Sequence, residues 1–109
     1  MTNFVIRIFA LSFMVIASVA HADTKNLAVE KQCFACHAEV IQIGKVPSFK
    51  AIAEKYKGQA NVEANLAQKI INGGVGHWGL TPMPAAVGDR PDVSQAEAKE
   101  LANWILTQH

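Results

Sequence analysis

Two thiols and an imidazole stand within five consecutive positions, Cys33-Phe34-Ala35-Cys36-His37, and the chain has no other cysteine. Four chemistries compete for such a run. A disulfide suits an oxidising compartment, but it would close a very short loop and leave His37 without a part. A thioredoxin-like dithiol needs a strand before it in a βαβ setting, and no such strand is legible upstream. A structural zinc site takes four ligands, whereas His77 and His109 form no second cluster with cysteine. The fourth reading, C-x-x-C-H as the attachment signature of a c-type haem, accounts for all three side chains. Thiols at this spacing reach the two vinyl groups of one porphyrin. The next residue then sits under the iron as proximal ligand, and the thioethers retain the cofactor where a loose one would be lost.

A second axial ligand follows by elimination. Methionine opposite histidine marks electron-transfer haems and raises their potential. Of the three methionines, Met1 and Met14 fall in the N-terminal segment, leaving Met83 between Pro82 and Pro84. The two prolines fix φ and stiffen the segment that would hold a weak sulfur ligand. A core-filling methionine is the plainer alternative, but a lone methionine in a Pro-Gly loop suits that role poorly. His77, in the same loop, is the rival ligand and would give a bis-histidine site. His109 is the last residue.

Elements must carry these groups. Residues 8–20 form an almost continuous apolar run after a basic residue, Arg7, and Ala20-His21-Ala22 has small residues where a signal peptidase reads. The pattern predicts a signal peptide over 1–22, cleaved after Ala22, and one domain over 23–109. The run is short for a bilayer span, so no stable membrane insertion is expected. Four helices are predicted. The first covers 23 to about 32, with Asp23 or Thr24 as N-cap and the cysteines at its end. Ser48 caps the second, whose Phe49, Ile52, Ala53 and Tyr56 share a face until Gly58. Asn61 caps the third, with Leu66, Ala67, Ile70 and Ile71 on one side and Gly73-Gly74 closing it. Ser94 and Glu97 form a capping box for the fourth, whose Ala98, Leu101, Ala102 and Ile105 make an apolar stripe beside Trp104. Trp104 is expected to pack on the first helix. No alternating strand pattern is legible, so the class is all-α, and the long Gly- and Pro-rich loop over 73–93 is expected to be functional.

Residues 23–109 hold nine basic and nine acidic side chains. That balance excludes a nucleic-acid binder, which needs a basic stripe. Lys45, Lys50, Lys55 and Lys57 cluster, and residues 23–72 carry seven basic against five acidic groups while 73–109 carry two against four. Such an asymmetry steers a partner or is simply a solvated helix face.

The series CFACH, VPSF, GGVGHWGLTPMP and a C-terminal amphipathic helix resembles the small bacterial class I cytochromes c, nearest the cytochrome c-551 type. The resemblance implies a cytochrome c fold: about four helices wrapped around one covalent haem c, with the first and last helices crossing. It places Pro47 beside His37, where a neighbouring backbone carbonyl takes the imidazole Nδ1–H, and Trp78 near the haem propionates. Four departures stand out, one being Ala85 after Met83-Pro84 in place of a second proline. The first helix has no glycine for the crossing, leaving Ala28 as its smallest candidate. Lys45 and Val46 separate Gly44 from Pro47, so the identity of the accepting carbonyl is open. The stretch from Ala85 to Val93 is long.

The expected function is periplasmic single-electron shuttling between respiratory redox partners by a monomeric, non-enzymatic carrier. The sequence-level alternatives are a catalytic or gas-sensing haem protein, which needs an open sixth position, and the haem subunit of a larger reductase.

Overall fold

The computed structural model describes residues 17–88 and 90–109. In chain order it comprises α1 (Ala17–Glu30), a single 3-10 turn (Cys33–Ala35), α2 (Phe49–Tyr56), α3 (Val62–Asn72), β1 (Gly74–Gly76), β2 (Gly79–Met83) and α4 (Gln95–Leu106). The expected signal segment lies mostly outside the described residues, although α1 begins at Ala17. Neither Asp23 nor Thr24 therefore caps this helix. Thr24 is instead buried in mid-helix, its hydroxyl donating to Glu100 Oε1 on α4 at 3.1 Å. No helix among the described residues is long and apolar enough to cross a membrane.

α4 organises the core by packing on α1, α2 and α3. Its start is fixed as the sequence predicts: Glu97 N–H donates to the Ser94 hydroxyl at 3.1 Å, and Ser94 N–H to Glu97 Oε1 at 3.0 Å. Ala98, Leu101 and Ala102 are fully buried, as is Ala28 on α1. Small residues thus stand on both sides where the first and last helices meet, and alanine serves without a glycine. Burial of this stripe, at about 25 cal/mol per Å² of apolar surface, is what holds short helices that would be marginal alone.

α2 starts at its expected cap, Ser48, whose hydroxyl accepts from Ala51 N–H. α3 differs. Asn61 precedes it, but with φ 60 and no side-chain cap bond. A capping side chain works from extended backbone, and Asn61 instead spends its tolerance for the left-handed region on turning the chain.

The helical class expected from the sequence holds, and the loop after α3 adds one small sheet to it. The loop's first half folds back as an antiparallel hairpin, β1 on β2, with Gly74 opposite Met83 and Gly76 opposite Gly79. Every residue of both strands except Met83 is exposed. With neither face buried, no apolar alternation is needed, and none is written in the sequence. The protein remains mostly helical, with the hairpin as its only paired strands among the described residues.

Candidate functional site

The CFACH segment is set by a left-handed residue. Gln32, at φ 60, ends α1 two positions earlier than expected and turns the chain into the 3-10 turn of Cys33–Ala35. His37 N–H closes this turn on Cys33 C=O at 3.0 Å. Cys33 is half-buried, Cys36 is exposed, and neither is in a disulfide. Burial raises the Cys33 thiol pKa, against a lowering by the nearby Arg90 charge.

The chain then loops out and is drawn back. Phe49 N–H donates to Ala38 C=O and Lys50 N–H to Glu39 C=O, both at 2.9 Å, while Val46 N–H closes a small turn on Ile43 C=O. Gly44 supplies the positive φ, 59, that this turn requires. The intervening residues that left the accepting carbonyl open thus form a turn, and it delivers buried Pro47 to the imidazole. His37 Nδ1 lies 2.8 Å from Pro47 C=O, so the acceptor is the carbonyl of Pro47 itself. A carbonyl accepts only from N–H, which puts the proton of the neutral ring on Nδ1 and leaves the Nε2 lone pair free to bind a metal. Phe49 stacks on the same ring at 5.2 Å and 21°. Burial lowers the His37 pKa, opposed by the Pro47 bond and assisted by the Arg90 charge. The ring therefore favours the neutral form a metal requires.

Trp104 is expected to pack on the first helix, whereas its ring contacts are with the CFACH turn and α2. It sits edge-on to Phe49 at 5.2 Å and to Phe34 at 6.2 Å, backing the motif from α4. Of the apolar residues near the motif in this core, Ile52 and Ile70 are buried, and Phe34 and Leu66 are partly buried.

Met83, half-buried, ends β2. α3 runs straight into this segment. Gly73 has φ +66, and a Cβ there would collide with Met83 C=O. Only glycine permits that approach. Trp78, half-buried in the hairpin turn, packs against the core. Lys55 Nζ lies 4.2 Å from its ring centroid and donates to His77 C=O at 2.6 Å. His77 itself is exposed at this turn. Beyond the strand, the Arg90 guanidinium donates to Pro84 C=O. Its charge also lies near enough to lower the pKa of both Cys33 and His37.

Two side chains here escaped sequence reasoning. Arg90 is the only arginine after Arg7, and a solitary arginine in a long loop was the signal available. Lys55 stands among the clustered lysines, and nothing in sequence distinguishes it from Lys45, Lys50 or Lys57, all exposed.

The donor set fits a haem better than a bare ion. Among the described residues no three His, Cys, Asp or Glu side chains gather to hold a metal. What the chain offers is two unpaired thiols, one ring nitrogen with its partner nitrogen already satisfied, and one thioether. A porphyrin brings its own four nitrogens and two vinyl groups, and those donors complete it.

Comparison with known proteins agrees. The cytochrome c family model matches residues 22–109. Cytochrome c-551 of Pseudomonas aeruginosa is 45% identical over 87 residues, which cover 79% of this chain and 77% of the relative. Cytochrome c-552 of Nitrosomonas europaea is 44% identical over 100 residues, covering 91% and 90%. The crystal structure of wild-type Nitrosomonas europaea cytochrome c552 superposes with a TM-score of 0.70 at 41% identity, over 78% of this chain and 99% of that one. Likeness this extensive takes in the CFACH turn, the hairpin and the last helix alike, and the chain therefore belongs to the cytochrome c family.

Proposed function

We propose that this electron carrier holds its one covalent haem c through thioethers from Cys33 and Cys36, with His37 Nε2 and Met83 Sδ as axial ligands. The observation that carries the reading is the bond between His37 Nδ1 and Pro47 C=O, which presents one ring nitrogen and orients it. The haem, when bound, supplies a one-electron couple between ferric and ferrous iron. The chain does the rest by holding still. Phe49 and the Pro47 carbonyl fix the imidazole against rotation, and the carbonyl raises its basicity. Phe34, Phe49, Ile52, Leu66, Ile70 and Trp104 exclude water, which favours the less charged ferrous state. With ligands supplied from both sides, no position is left for a substrate, and the protein is a carrier and not an enzyme. Trp78 is assigned to the propionate side, where its indole N–H would donate.

The remaining parts of the reading are cellular. Residues 1–22 are a signal peptide removed after Ala22, and the mature domain, 23–109, works as a periplasmic monomer between a donor and an acceptor protein. Redox encounters are small and weak, so the exposed lysines act on encounter rate more than on affinity.

An absorption spectrum of the purified protein in both oxidation states tests the ligand set. The ferric form should show the weak far-red iron–thioether band, and the ferrous form should resist carbon monoxide. Rapid carbon monoxide binding by the native protein would instead favour a catalytic or sensing site. Mass analysis of the mature protein should give a chain starting at Asp23 plus one haem.

A further inference from the structure

The hairpin of β1 and β2 carries the proposed sulfur ligand at its end, yet every strand residue except Met83 lies open to solvent. An isolated two-stranded hairpin is marginal in water. This one has glycine at four of its strand and flanking positions, Gly73, Gly74, Gly76 and Gly79, all with positive φ. Backbone pairing alone is therefore a weak hold on Met83. Two cations from outside the hairpin meet it at its two ends. At the turn, Lys55 from the last turn of α2 donates to His77 C=O at 2.6 Å and lies over the Trp78 ring at 4.2 Å. Past the strand end, Arg90 donates to Pro84 C=O, one residue beyond Met83. Each takes a backbone carbonyl, and each comes from a different part of the chain.

We propose that Lys55 and Arg90 are positioning residues that clamp the two ends of this strap and so hold Met83 against the iron. The inference rests on Met83 being the axial ligand. It adds that the fraction of molecules with sulfur on the iron is set by two side chains that touch neither iron nor sulfur. Arg90 is the stronger of the two. Both bonds are charge-assisted, but Arg90 is half-buried and so less screened by water than exposed Lys55.

The test uses the holoprotein and the rate of carbon monoxide uptake by its ferrous form. At limiting gas this rate scales with the fraction of molecules whose sulfur has left the iron. Lys55→Gln should raise it about two- to fivefold, the factor an exposed cation–π contact carries. Arg90→Gln should raise it about tenfold or more, as loss of a charge-assisted hydrogen bond implies. Lys55→Arg and Arg90→Lys should restore most of the native rate. Lys99→Gln, which removes a cation paired with Glu63 at 3.8 Å between α4 and α3, controls for loss of charge alone and should leave uptake unchanged.

Uptake in both glutamine variants no faster than in Lys99→Gln, in a native protein that shows the far-red band, overturns the clamp while leaving Met83 in place as ligand. A native ferric spectrum without that band removes the ligand assignment itself and the clamp with it. Acceleration abolished by the conservative exchanges establishes the clamp, because general destabilisation would not be rescued by guanidinium for ammonium.

Discussion

The two sides of the proposed haem site are built by different means. The Cys33–Pro47 side is drawn in by backbone bonds, from His37 N–H, Val46 N–H, Phe49 N–H and Lys50 N–H, and is backed by buried Phe49, Trp104 and Pro47. The Met83 side is an exposed glycine-rich hairpin that meets the helices at the close approach of Gly73, at a few side chains and, three residues past Met83, at one backbone bond from Ala86 N–H to Ile71 C=O at 2.8 Å. The lesson is a division of labour. The histidine side is part of the folding core, so disturbing it disturbs the whole domain. The methionine side is a surface strap, so it can be loosened while the domain stays folded.

Breaking the first side should have the largest consequence. With both thiols removed, Cys33→Ala with Cys36→Ala, the mature chain should carry no haem mass and lose most of its helical circular dichroism. A ligand that binds only the folded state contributes its whole binding energy to stability, and a domain this small has little in reserve. A stably helical, colourless variant would show that the helices do not need the cofactor. Next comes Phe49→Ala, which removes a side chain 2% exposed together with the stacking partner of His37. It should cost about 3–5 kcal/mol in denaturant unfolding, and unfolding and loss of haem ligation should coincide.

The strap predicts the opposite pattern. Met83→Ala should leave the helices intact while lowering the reduction potential by a substantial part of the roughly 0.8 V that axial ligands command. An unchanged potential refutes Met83 as ligand. Gly73→Ala acts on the same strap through the backbone. Its Cβ would meet Met83 C=O in a conformation that already disfavours side chains, at about 1–3 kcal/mol. The far-red band should bleach at a lower temperature than the helices melt. Simultaneous loss of both signals would mean that the strap belongs to the core after all.

How much of this was legible in the sequence follows the same divide. Ser48, Ser94 and Glu97 are local devices, spelled out within four residues, and each caps the helix expected of it. The faces of α2 and α4 follow from their spacing, because a buried helix face must be apolar. The proposed roles of Cys33, Cys36 and His37 are legible because haem attachment requires these residue types at a fixed spacing. The hairpin is not, since strands exposed on both faces leave no alternation to read. Gln32 and Asn61 adopt the left-handed region with nothing in their residue types to demand it, most clearly for Gln32. That the Pro47 carbonyl meets His37, and that Arg90 bonds the strap at Pro84, depend on how a ten-residue loop and a long connection fold back. Those are tertiary facts, without a local signature.

The smallest expected effect probes the seam between α1 and α4, away from the strap. Glu97 accepts from Ser94 N–H and pairs with Lys31 at 3.1 Å, and Lys31 also donates to Asp92 C=O. The Ser94 bond first, and then Lys31, hold the Glu97 carboxyl below its ordinary pKa of 4.5. A carboxyl whose pKa is lower in the folded state stabilises that state above the unfolded pKa. Its contribution fades as pH falls through the folded value, when the native carboxylate takes up its proton. Glu97→Gln keeps a side chain that can serve the capping box but cannot titrate. The native protein should therefore be modestly more stable than this variant at neutral pH, and the gap should close on acidification below about pH 4.5, the ordinary value. Denaturant midpoints for the two proteins, compared at each pH, measure that gap. Carbon monoxide uptake should not distinguish them, because this seam belongs to the helical frame. A gap that persists unchanged into acid would mean that Glu97 acts by shape alone, and a change in uptake would mean that frame and strap are mechanically one.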